Sequence, residues 1–160
     1  MSTIIDGSAG ITFPNSTVQA SAGKIVQVAS GSLTGNVSTT SSSYVSTGLS
    51  VTLTPLFSTS KILIIFNNYV YVTGTAAQCN ITLYKNGSNL SSSGLANVYG
   101  QTAPIIAGIG FNYIDTSVST SSTTYTLYFQ NTSNSNTVYL NNGANANTCV
   151  TQLVAMEIAQ

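Results

Sequence analysis

A chain of 160 residues is long enough for one domain with a real core and too short for two. Only 4% of it is charged, with three Lys, no Arg, three acidic residues and a formal net charge of +0, so it lacks the cations that binding nucleic acid or an anionic membrane surface requires. Hydrophobic residues make up 42% and fall in regular blocks, which argues for folding over disorder, while none of the blocks reaches the 18 consecutive apolar residues of a membrane span.

Residues 1–23 are small, polar and irregular, with Gly7, Gly10, Pro14 and Gly23 interrupting any strand or helix period. They read as an extended N-terminal arm. Ile4, Ile5, Ile11, Phe13 and Val18 are too apolar for a solvated linker, so they are expected to dock on a neighbouring subunit or on the domain itself, the alternative being a frayed terminus. The opening MSTIIDGSAG has neither the basic region nor the apolar stretch of a secretory signal, so Sec export is not expected.

From Lys24 onward the governing pattern is alternation with period two, which places successive side chains on opposite faces of a strand. Strands are expected at Ile25–Ala29, near Tyr44, at Leu49–Leu53, Lys61–Val72, Cys79–Leu83, Ile105–Tyr113, Tyr125–Phe129, Thr137–Leu140 and Thr148–Ala159. Asn86-Gly87 is a hairpin dipeptide, and Asn142-Gly143 and the Thr116–Ser122 run read as loops. Short strands without helices bury their apolar faces only by stacking two sheets, so residues 24–160 are expected to form an all-β, antiparallel β-sandwich of jelly-roll type.

The run Lys-Ile-Leu-Ile-Ile-Phe-Asn-Asn-Tyr-Val-Tyr-Val from Lys61 is apolar or aromatic on both faces. One face can fill the core. Leu63, Ile65, Tyr69 and Tyr71 are then left for a partner copy in a homo-oligomer, unless the strand is covered on both sides within one monomer.

Chemistry is hard to place. With no His there is no Ser-His-Asp or Cys-His triad, and two Cys alone do not make a zinc site. No calcium loop is present and no cofactor is expected. A glycosidase needs two carboxylates across one bond, and only Asp6, Asp115 and Glu157 are available, so an enzymatic reading requires Asp115 and Glu157 to converge. Gly108-Ile109-Gly110 lies inside an apolar strand, where its glycines permit close packing or a bulge rather than phosphate binding. Nine Tyr leave room for a sugar-stacking platform built from residues such as Tyr99. The Asn-x-Ser/Thr sequences are of the number such a composition makes by chance.

Several blocks resemble a known family. Gly10-Ile11-Thr12-Phe13-Pro14-Asn15-Ser16-Thr17-Val18-Gln19, followed by Lys24-Ile25-Val26-Gln27-Val28, resembles the opening of short β-domains in tailed-phage fibre and virion proteins, with Ser16 in place of the usual Gly. Ser60-Lys61-Ile62-Leu63-Ile64, Leu83-Tyr84-Lys85-Asn86-Gly87 (with Lys85 in place of the usual Arg) and Val154-Ala155-Met156-Glu157-Ile158-Ala159 are similar to later blocks of that family, in the same order. The resemblance implies a virion structural protein, frequently a trimer, assembled in the host cytoplasm. There Cys79 and Cys149 are expected as free buried thiols. Because the family-like arm begins almost at Met1, a capsid decoration or cement protein bound to the major capsid protein is expected first. A short tail-fibre module contacting host polysaccharide comes second.

Overall fold

The computed structural model describes residues 24–101, 104–132, 136–141 and 150–160, and the backbone of 4–6, 10–12 and 18–19 before them. Every regular element among them is a strand. In chain order these are β1 (Ile4–Asp6), β2 (Gly10–Thr12), β3 (Val18–Gln19), β4 (Lys24–Leu33), β5 (Val37–Thr39), β6 (Val45–Leu53) and β7 (Lys61–Val72). They continue as β8 (Ala77–Lys85), β9 (Ser88–Asn89), β10 (Ala96–Gly100), β11 (Ile105–Asp115), β12 (Thr123–Asn131), β13 (Val138–Leu140) and β14 (Thr151–Ala159).

Two antiparallel sheets make the sandwich. In the first, β4 pairs β14, β14 pairs β7, and β7 pairs β11 along its whole length. Where β14 stops, β13 takes its place beside β7 and carries β5 outside it. The second sheet runs β6-β12-β8-β10, with β9 on β8. The chain changes sheet at most of its loops, so neighbours within a sheet are mostly distant in sequence.

The period-two pattern sets the interior. Ile62, Ile64, Phe66, Val70 and Val72 of β7 face Leu49, Val51, Ile81, Leu83, Tyr125, Leu127 and Phe129 of the opposite sheet, all buried. Most expected strands are found. Asn86 and Gly87 both take positive φ, 48° and 84°, which is the geometry of a two-residue hairpin, here joining β8 to β9.

Three features differ from the sequence reading. Within the arm, β1, β2 and β3 pair into a small antiparallel sheet instead of running as irregular chain. Next, β5, β9 and β10 were not expected, because each is short and its apolar positions are few. Finally, β4 continues past the expected end at Ala29 through Ser30-Gly31-Ser32 to Leu33. There the edges of the two sheets meet so closely that a Cβ on Gly31 would lie 1.6 Å from the Ser50 carbonyl oxygen, an approach open only to glycine. The expected Asn142-Gly143 loop and the start of the last strand at Thr148 fall outside the described residues.

Candidate functional site

Strand register gives the outer face of the first sheet an apolar region at one end and a polar band across its middle. Val28 of β4, Met156 of β14, Leu63 of β7 and Ile114 of β11 stand side by side in one row, Val154 and Ile65 form the centre of the next between Ser30 and Asn112, and Ser32, Gln152, Asn67 and Gly110 follow. Towards one end Ile25 pairs Ile158, which pairs Lys61, the face's charged group among the described residues. At the other end Tyr71 stacks on Tyr139 with ring centroids 5.8 Å apart, beside Ile106. The four residues singled out from the sequence thus share this face. Leu63, Ile65 and Tyr71 are half-buried by their neighbours and Tyr69 is 55% exposed, so among the described residues nothing covers the second face of β7.

Between the two ends the face is notched. Gly108 and Gly110 remove two side chains from β11, and adjoining concavities of about 420 and 480 Å³ open over Asn67, lined by Tyr69, Val150, Ile65 and Val154. The β11–β7 register runs through both glycines without a shift. There is accordingly no bulge here. A Cβ on Gly110 would meet the Asn67 Oδ1 at 2.2 Å, so close packing is the reason for that glycine, whereas one on Gly108 would point into open space.

The outer face of the second sheet has the opposite chemistry. Its outward positions are Ser46, Ser50 and Thr52 on β6, Thr124, Thr126, Tyr128 and Gln130 on β12, Gln78, Asn80 and Tyr84 on β8, and Asn97 and Tyr99 on β10. None is aliphatic and none is charged. Tyr84 and Tyr128 stack with centroids 3.7 Å apart, the Thr52 and Thr124 hydroxyls lie 2.8 Å apart, and Tyr99 is exposed.

The two carboxylates of the domain do approach one another. Asp115 on β11 and Glu157 on β14 both pair with Ile62 of β7, which puts their backbones two strand spacings apart, roughly 10 Å. Their surroundings are those of anchors. The Asp115 Oδ2 takes the Tyr125 hydroxyl at 2.5 Å and the Lys85 ammonium at 2.6 Å, and its Oδ1 takes the Ser117 N–H at 2.9 Å. Burial opposes its ionisation, but these partners outweigh burial and hold its pKa below the ordinary value. The same contact pushes the Tyr125 hydroxyl pKa up, after burial itself.

Glu157 is fully buried. Its oxygens accept the Leu56 N–H at 2.9 and 3.0 Å, the Phe57 N–H at 3.1 Å and the Gln27 amide at 2.5 Å. The Ser60 hydroxyl sits alongside, short of good hydrogen-bond geometry. Burial raises the Glu157 pKa and these donors more than reverse it, so this group too is held below its ordinary value. A glycosidase acid needs a carboxyl whose pKa is raised, and neither carboxylate meets that requirement.

Cys79 is a buried free thiol whose pKa burial pushes up to about 12, which makes it inert. Cys149 lies outside the described residues. Of the arm residues, Ile4 and Ile5 fall on β1, Ile11 on β2 and Val18 on β3, with Ile5 opposite Ile11, while Phe13 and the side chains of the other four lie outside the described residues. Sequence reasoning missed Val28, Val154, Met156 and Ile114 as members of the apolar face. Their own strands show the alternation, but only cross-strand pairing reveals that they extend the row begun by Leu63. It also missed the clamp on Glu157, since nothing local links residue 157 to residues 56 and 57. No protein-family model matches the chain, and no curated protein matches it.

Proposed function

We propose that this chain is a structural protein of a tailed-phage virion, a capsid decoration or cement protein that works by binding and performs no chemistry. The observation that carries the proposal is the outer face of the β4-β14-β7-β11 sheet, which has one row apolar across all four strands, Val154, Ile65 and aromatics beyond it, and one charged group, Lys61, among its described residues. Such a face on a monomer is a contact surface. A second sheet whose outer face is neutral and polar gives the molecule one side to bury and one to leave in water.

The strand orders β4-β14-β7-β11 and β6-β12-β8-β10 support a jelly roll, in which eight strands fold as two Greek keys. Virus shells use that fold repeatedly. In this reading the apolar face joins copies into a homotrimer. The arm, through Ile11, Phe13 and Val18, anchors the assembly on the major capsid protein and adds buried area that resists internal pressure.

A second reading, a tail-fibre module that contacts host polysaccharide, is favoured by the face that bears Tyr84, Tyr128 and Tyr99 among amides and hydroxyls, a chemistry suited to uncharged sugars. Cryo-electron microscopy of virions purified from the phage that encodes this chain separates the readings. Density repeated over the capsid lattice is the expected result. Density confined to the tail favours the fibre reading, and particles without the chain refute a virion role.

A further inference from the structure

Next to the apolar face, the segment between β6 and β7 is built in an unusual way. The buried Glu157 carboxylate accepts the consecutive N–H groups of Leu56 and Phe57, an arrangement of backbone donors that cradles an anion. Gln27 ties the segment a second time by donating to both the Glu157 Oε2 and the Thr54 carbonyl, the latter at 2.8 Å. The Ser60 N–H closes the turn on the Phe57 carbonyl at 3.2 Å. A negative charge is thus buried with no cation beside it among the described residues, and the two side chains it fixes point outward. Leu56 is 59% exposed and Phe57 is 49% exposed. Fixing two apolar side chains in solvent brings the folded monomer no burial, but it removes in advance the ordering cost of a contact.

Resting on the self-assembly reading above, we infer that Leu56 and Phe57 form a prong that inserts into the notch over Asn67, Gly108 and Val150 on the sheet face of a second copy. Three observations favour a second copy as the occupant. The notch is uncharged and open, and although Asn67, Asn68 and Gln152 share its lining, the exposed Val150 and Tyr69 give two apolar side chains a place to pack. The face around it has ample area for one partner: four strands about 4.8 Å apart and β7 at about 3.3 Å per residue give roughly 750 Å² on the copy that is entered, one partner's share of a standard stable interface. Finally, with Lys61 the face's charged group among the described residues, two copies meet without appreciable repulsion.

Prong and notch are separate places on the molecule. The prong is tied to the end of the sheet at Lys61, and the notch begins at Asn67, about 20 Å further along β7. Joined head to tail, such a contact closes into a ring when its rotation allows, as the trimer reading requires; joined reciprocally, it would stop at a dimer.

The test uses the full chain and two exposed-site variants, L56S/F57S at the prong and V150E at the notch, each checked for unchanged circular dichroism. By native mass spectrometry and sedimentation, both variants are expected to associate at least about 100-fold more weakly than the wild type, the effect of losing two half-buried apolar contacts. Mixing the two is expected to yield hetero-pairs, because the intact prong of one meets the intact notch of the other. Assembly retained by L56S/F57S overturns the prong, and absence of hetero-pairs overturns the head-to-tail arrangement. A wild-type chain that is monomeric at the same concentrations overturns the self-assembly reading itself, and this inference with it.

Discussion

Replacing Glu157 by Gln tests the anchor at the end of the sandwich. The carboxylate takes the Leu56 and Phe57 N–H groups and the Gln27 amide at distances of 2.5 to 3.1 Å. A Gln side chain keeps one acceptor oxygen but turns its own N–H₂ towards the remaining donors. About two of these hydrogen bonds are lost, and at about 1.5 kcal/mol for each bond to a charged group the cost is about 3 kcal/mol. For a chain of this size that corresponds to a fall in Tm of about 6–12 °C. The assay is urea denaturation and calorimetry at pH 7, repeated at pH 2–3. As pH falls below the unfolded value of about 4 towards the folded one, the wild-type carboxylate's advantage shrinks and the gap between the two proteins should narrow. A Tm within about 1 °C of wild type at pH 7, or a gap that persists unchanged at pH 2, refutes the assignment of Glu157 as an ionised anchor.

The same two carboxylates set the pH dependence. Asp115 and Glu157 both have folded-state pKa values below their ordinary ones, so their contribution is fully present above the unfolded values of about 4 and is lost as pH falls through the folded ones. With no His in the chain, urea midpoints should be flat from about pH 5 to 8 and drop below about pH 4, and a transition centred near pH 6 would contradict this account. Gly31→Ala should destabilise the domain by about 3 kcal/mol, the upper end for overpacking, because the added methyl collides with the Ser50 backbone. Gly108→Ala, with open space at its Cβ, should move the urea midpoint by less than about 0.5 kcal/mol. Equal effects of the two would disprove the close approach of the sheet edges.

What the sequence determined was the longer strands of the domain and the two faces of each one. Alternation in Leu49–Leu53, Cys79–Leu83 and Tyr125–Phe129 corresponds to buried positions throughout, since a strand exposes alternate residues to alternate sides whatever its partners. For β7 it also separated Ile62, Ile64 and Phe66 from Leu63 and Ile65. With both sets apolar, it assigned Leu63 and Ile65 to a partner copy but left open whether one monomer covers both faces.

Among the described residues, the tertiary structure stacks the opposite sheet on the Ile62, Ile64 and Phe66 side alone. It also decided where the polar residues meet. Gln27, Glu157, Ile62 and Asp115 come from four strands spread over most of the chain, and only the β4-β14-β7-β11 pairing places them in one inward row. Spacing along the chain carries no trace of such a row. The same holds for the apolar row of Val28, Met156, Leu63 and Ile114, and for the Leu56–Phe57 segment fixed by a carboxylate about a hundred residues away. Period and composition act through neighbours in sequence, whereas these sites are made by register between distant strands, which is settled only when the two sheets close on each other.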